Sequence, residues 1–178
     1  MENRNLKGFV LWFSGLSAAG KTTVADEVFR LLEENGNTIE RLDGDIVRDS
    51  LTNKLSFSKE DRDENIKRIG FVSGLLAKNG VGVISSFITP YEEQRKNLRK
   101  NIKNFILVYV KTSLETCEKR DPKGLYEKAR KGEIKNFTGV SDPYEIPENA
   151  EIVVDTEKLS PEESAQEVFE YLKEKKLI

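Results

Sequence analysis

Histidine is missing from this chain altogether, and cysteine, methionine and tryptophan occur once each. Without an imidazole there is no Ser-His-Asp triad, no histidine metal ligand and no histidine general base. A lone Cys117 excludes an internal disulfide and a cysteine-built zinc site, which agrees with a reducing compartment. Long apolar runs are scarce too. The longest, Phe9–Phe13 and Phe105–Val110, fall far below the ~20 residues of a membrane-spanning helix, and no secretory signal is visible at the start. Neither charge dominates: 29 basic against 31 acidic residues leave a net charge of −2, so no whole-molecule attraction to nucleic acid or to an anionic membrane is expected. Any cationic site must be local. The expectation is a single cytoplasmic domain spanning residues 1–178, large enough to bury a core.

What is present alternates between strand and helix patterns. The near-continuous apolar runs Phe9–Phe13 and Phe105–Val110 read as parallel strands covered on both faces. Shorter strand candidates are Thr38–Leu42, Val81–Phe87 and Glu151–Val154. Between them, Thr22 to Asn35 places Val24, Val28, Leu31 and Leu32 on one side, with Gly36 behind it as a C-cap. Ser58 to Asn79 predicts a second helix closed by Gly80. Ser160, Pro161 and Glu163 form start chemistry for a last one carrying Ala165, Val168, Phe169 and Leu172. This alternation predicts an α/β three-layer sandwich with a mainly parallel central sheet. The segment Lys119–Pro147 departs from the pattern: it is charged, carries Gly124, Gly132 and Gly139, and suits either a solvated loop or a lid over a ligand. Cys117 lies in a charged helical stretch and reads as a half-buried small residue.

The stretch Gly15-Leu16-Ser17-Ala18-Ala19-Gly20-Lys21-Thr22 fits G-x-x-x-x-G-K-[ST] between a strand and a helix, the setting the motif requires. Such a loop turns backbone N–H groups inward and adds the positive end of a helix, so phosphate oxygens meet a preformed nest. Lys21 then pairs with β/γ oxygens, and the Thr22 hydroxyl, followed by Thr23, ligates Mg²⁺. Ala18 stands in a glycine-rich loop, and costs about 1 kcal/mol if its backbone is left-handed. The second strand ends in Leu42-Asp43-Gly44-Asp45, carboxylates that could hold the metal or accept a proton from an attacking hydroxyl. A guanine-reading Asn-Lys-x-Asp box is missing, with Asn53-Lys54-Leu55-Ser56 as the nearest fragment. A compact kinase for a small acceptor fits better than a switch or a motor, because a lid that excludes water protects the nucleotide from hydrolysis. The sandwich is therefore expected to be of the P-loop, nucleoside-monophosphate-kinase-like kind.

From Gly15 to Pro147 the chain resembles the adenylylsulfate (APS) kinase family. The runs that carry the likeness are Gly15–Thr23, Leu42-Asp-Gly-Asp-Ile-Val-Arg48, Phe57 to Ile69, Phe87-Ile-Thr-Pro-Tyr91, Asp121-Pro-Lys-Gly-Leu-Tyr126 and Gly132 to Pro147. The resemblance implies transfer of the ATP γ-phosphoryl, with Mg²⁺, to the ribose 3′-hydroxyl of APS, and a homodimer. It implies that Gly15, Leu16, Ser17, Ala18, Ala19, Gly20, Lys21, Thr22 and Thr23 hold the nucleotide. Asp45 would orient or deprotonate the 3′-hydroxyl; Arg48, Arg62 and Asn65 would bind the phosphosulfate and nearby polar groups. Phe57 and Phe137 would sandwich the adenine, and Phe87, Ile88 and Thr89 would line the acceptor site. Lys123, with Gly124 and Leu125 in the lid, would neutralise charge near the transferred group. Elementary chemistry agrees: an anionic purine acceptor needs guanidinium forks and aromatic faces, and Arg62 and Asn65 are neighbours on one helical face. Three positions depart from the family: Ala18 where glycine is usual, Thr89 where serine is frequent, and Glu92 where arginine is common. A kinase for a nucleoside monophosphate or a sugar, and a nucleotide-sensing module without turnover, stay open as alternatives.

Overall fold

The computed structural model describes residues 7–44, 47, 51, 55 and 58–178. Asp45, Arg48 and Phe57, three of the expected site residues, lie outside the described residues. The elements in chain order are β1 (Phe9–Ser14), α1 (Lys21–Glu34), β2 (Ile39–Asp43), α2 (Lys59–Lys78), β3 (Gly82–Ser86), α3 (Glu92–Asn101), β4 (Phe105–Lys111), α4 (Leu114–Arg120), α5 (Leu125–Arg130), β5 (Ile152–Asp155) and α6 (Pro161–Glu174).

The strands form one five-stranded sheet in the order β2-β3-β1-β4-β5, with every neighbouring pair parallel. All six residues of β1 are buried, as the unbroken apolar run requires of a central strand covered on both sides. Alternation along β1 sorts the core. Leu11 and Phe13 pack with Val24, Ala25, Val28 and Leu32 of α1 and Ala165, Val168 and Leu172 of α6. Val10 and Trp12 face the other way, onto Ile66, Ile69 and Ala77 of α2 and Leu98 of α3. Burial of each such side chain is worth about 1.5–3 kcal/mol, so the two helical layers are fastened independently of the loops above them. Cys117 belongs to the first cluster and is fully buried, deeper than the half-buried position its charged neighbours suggest, since only that one face of α4 turns inward.

Helix ends follow their cap chemistry. Ser58 accepts from Asp61 N at 3.1 Å to open α2. Ser160 and Glu163 satisfy each other's backbone in a capping box at the start of α6. Because β1 neighbours β3 on one side and β4 on the other, the chain reverses direction across the sheet at β1. A crevice at the carboxyl ends of the strands is the consequence, and the phosphate-loop motif lies in it. Among the described residues no helix is long and apolar enough to cross a membrane.

Candidate active site

The loop from Gly15 to Gly20 leaves β1 at this crevice and enters α1 directly. Gly15 is forced by packing: a Cβ there would stand 2.6 Å from the Val110 carbonyl oxygen of β4. Gly20 has φ +97°, a conformation that only glycine adopts readily. Ala18 also has a positive φ, of 60°, so this loop does require the left-handed backbone that alanine resists. Replacing Ala18 with glycine relieves roughly 1–2 kcal/mol of that strain and gives back about 0.4–1 kcal/mol through the freer unfolded chain. The net expectation is stabilisation by about 0.5 kcal/mol, read as a higher urea midpoint; a lower midpoint would contradict the strain argument.

The Lys21 ammonium donates to the carbonyl oxygens of Gly15 at 3.0 Å and Leu16 at 2.7 Å. Its partners among the described residues are neutral, and burial pulls its pKa down to about 8. A cation held by carbonyls alone is electrostatically underpaid, and an incoming phosphate supplies the missing charge. Thr22 and Thr23 are exposed on the first turn of α1 beside it.

Several groups that fix this loop carry no signature in the motif itself. Ala19 O accepts from Thr112 Oγ1 at 3.1 Å and from Thr156 Oγ1 at 2.9 Å, and the two hydroxyls meet at 2.6 Å. Arg120 reaches Thr156 O at 2.9 Å. Thr112 and Thr156 each follow the last residue of a strand, in the parallel phrases Val110-Lys111-Thr112 and Val154-Asp155-Thr156. That shared strand-end hydroxyl is the signal that could have found them.

The Asp121–Tyr126 run is built as a bracket. Asp121 accepts from Leu125 N at 2.8 Å and Glu127 N at 3.1 Å, capping α5, and Gly124 turns with φ 63°. Buried Tyr126 then donates to Ser17 O at 3.0 Å, tying this turn to the phosphate loop. Lys123 is exposed on the turn between these anchors. The segment Lys119–Pro147 is therefore not a plain loop: it contains the end of α4, all of α5, and an isolated bridge between Thr138 and Asp142.

Arg62 and Asn65 share a face of α2 as the spacing requires. The Arg62 guanidinium donates to Asp142 Oδ2 at 2.6 Å and Thr138 Oγ1 at 3.0 Å, and reaches the Asn136 carbonyl. Asp142 Oδ2 also accepts from Tyr91 OH at 2.6 Å. One carboxylate thus joins α2, the start of α3 and the segment Lys119–Pro147. Both ionic side chains are mostly shielded, at 15% and 21% exposure. Changing Asp142 to alanine should cost about 1–3 kcal/mol in urea unfolding and raise KM for the acceptor more than it lowers kcat. An unchanged KM would detach Arg62 from acceptor binding.

Phe137 is half-buried, edge-on to Tyr126 with ring centroids 5.0 Å apart. Phe87 turns into the core against Trp12 at 5.6 Å. Thr89, with φ 48°, is buried and accepts from Trp12 Nε1 at 2.8 Å through its hydroxyl. Ile88 alone of these three is partly exposed. Arg95, fully buried, holds the same stretch by donating to Thr89 O at 2.8 Å and Glu145 O at 2.7 Å. Glu92, at the position where the family commonly has arginine, pairs with Arg95 at 2.8 Å. The charge reversal is thus neutralised within the first turn of α3. Tyr144, whose hydroxyl is pushed up by burial, meets Ser14 Oγ at 2.8 Å, and Ser14 donates to Ile88 O at 2.7 Å.

The Adenylylsulphate kinase family profile matches residues 7–155. An adenylyl-sulfate kinase of Halothermothrix orenii is 58% identical over 172 residues, covering 97% of this chain and 93% of its own. A solved APS kinase of Mycobacterium tuberculosis, in complex with AMPPNP and APS, superposes with a TM-score of 0.90 at 44% identity, covering 94% of this chain and 98% of that one. A shikimate kinase of Aquifex aeolicus shares the fold at 18% identity and a TM-score of 0.53, covering 95% and 99%. With a phosphate loop braced by Thr112, Thr156 and Tyr126, and with likeness of this extent over nearly its whole length, the chain belongs to the adenylylsulfate kinase family.

Proposed function

We infer that this protein transfers the γ-phosphoryl group of ATP to the 3′-hydroxyl of APS, giving 3′-phospho-APS and ADP. The observation that carries the reading is the coupling of the two halves of the site. Tyr126 ties the Asp121–Tyr126 turn to the phosphate loop, and Arg62–Asp142 ties the acceptor helix to the same lid. Donor and acceptor are thereby addressed by one segment, Lys119–Pro147, which acts as the lid over them. A likeness to a relative solved with AMPPNP and APS supports both ligands.

The chemistry asks for in-line positioning and charge neutralisation. Loop amides and Lys21 bind the phosphates, Lys123 in the lid neutralises charge near the transferred group, and Asp45 orients or deprotonates the 3′-hydroxyl. Arg48, Arg62 and Asn65 hold the phosphosulfate, with Phe57 and Phe137 on the adenine. Hard oxygen donors, the Thr22 hydroxyl and the Asp43 carboxylate, would hold Mg²⁺. That ion, when bound, neutralises charge on the phosphate oxygens. Thr89 has no covalent role here, because its hydroxyl is buried and held by Trp12.

The test is transfer from radiolabelled ATP to APS beside AMP and gluconate. Label moving fastest to APS supports the reading; faster transfer to a rival acceptor, or ATP binding with no transfer to any of them, overturns it.

A further inference from the structure

Ser86 closes β3 with 7% of its surface exposed, and its hydroxyl has no hydrogen-bond partner among the described residues. A buried hydroxyl that has lost its hydration without a replacement is uncommon, and points to a partner that arrives with a ligand or as ordered water.

Its surroundings say which. Ser85, the preceding residue, meets Ser73 of α2 at 3.0 Å, so strand alternation aims Ser86 at the opposite face, toward α1. In register it lies between Asp43 of β2 and Phe13 of β1, at the point where β1 runs on into the phosphate loop. Asp43 shares that face, because Leu42 packs in the α2-side cluster. Arg41, two residues back on the same face, reaches Asp26 of α1 and also pairs with Asp43 Oδ2 at 3.1 Å. The Arg41 Nε is itself buried without a partner among the described residues. Two such polar atoms thus sit on one face of two adjacent strands, the face toward α1.

The charges complete the picture. Asp26 and Asp43 both pair with the Arg41 guanidinium, and Asp43 brings a carboxylate next to Ser86 in register. A polyanion seated next to it needs a counterion on this side, whereas Lys21 serves the other. Mg²⁺ keeps several of its waters and is held by one or two carboxylates and the phosphates. A hydroxyl that both donates and accepts suits those waters without adding charge.

We propose that Ser86 is a positioning residue on the metal side of the nucleotide, its hydroxyl holding, beside Asp43, water carried by the divalent cation of the metal–nucleotide complex. The proposal rests on the nucleotide half of the functional reading only. Its test uses ADP and Mn²⁺ without APS, so it can fail while acceptor phosphorylation stands, and the reverse.

Calorimetry and the electron paramagnetic resonance of bound Mn²⁺ would follow Mn·ADP binding to wild type, Ser86→Ala and Ser86→Thr. Ser86→Ala should weaken Mn·ADP roughly three- to tenfold, the effect of one lost hydrogen bond. Its affinity for ADP in chelator and the melting temperature of the empty protein should not fall. Ser86→Thr, which keeps the hydroxyl, should recover wild-type affinity. Undiminished Mn·ADP affinity in Ser86→Ala, an equal loss without metal, or a Ser86→Ala protein that melts early or does not fold would each overturn the proposal, the last by making the hydroxyl structural.

Discussion

Lys21→Ala should lower kcat/KM for ATP by about 10³-fold, the scale at which a charge-stabilising donor is lost from a preorganised site. The ammonium occupies the mouth of the loop, bonded to the Gly15 and Leu16 carbonyls. Its removal takes the positive charge from the mouth of the loop. The same residue sets a pH dependence with a definite sign. Burial holds its pKa at about 8, and a bound phosphate, favouring the ammonium, must raise it. Nucleotide affinity is therefore full below pH 8. It falls as pH climbs above 8, approaching tenfold per unit until the pKa of the complex is passed. Titrating ADP between pH 6.5 and 9.5 checks this; a flat profile through pH 9 would mean that the charge of Lys21 does not contribute to phosphate binding.

Asp45→Ala should reduce kcat at least about a hundredfold, the range expected for a positioned acid–base group, while ATP affinity stays near that of wild type. No histidine is present to take over as base. Asp43, the carboxylate nearest in sequence, is already engaged with Arg41, which also reaches Asp26. Measuring kcat and the binding constant on one preparation separates chemistry from folding. Turnover like that of wild type would remove Asp45 from the mechanism.

How much of this was legible in the sequence depended on how local each signal was. The unbroken apolar runs of β1 and β4 announced buried parallel strands, and Ser160-Pro161-x-Glu163 announced the start of α6, because each rule acts over a few residues. The weak edge strand β2, Ile39–Asp43, was found nearly in place only because Asp43 ends it. Helix α3 had no clear apolar face to read: it is dominated by charge, with Leu98 and the buried Gln94 and Arg95 turned inward. The braces of the phosphate loop were harder still. Tyr126 lies 109 residues from Ser17 and Thr156 lies 137 from Ala19, distances over which no periodicity reports contact. Arg62 was expected in the site through resemblance, but its bond to Asp142, 80 residues away, belongs to the tertiary fold. Ser86 is the extreme case: its hydroxyl has no hydrogen-bond partner among the described residues, which only the packed fold can show.

The account turns on one act, delivery of a terminal phosphoryl group from the Lys21 loop to a ribose oxygen. The most direct measurement is product assignment after incubating the enzyme with APS and γ-labelled ATP, locating the label by proton–phosphorus coupling. The account predicts label on the 3′-carbon oxygen of APS, formed in step with ADP. Label released as inorganic phosphate whether or not APS is present, or attached elsewhere on the acceptor, would contradict it.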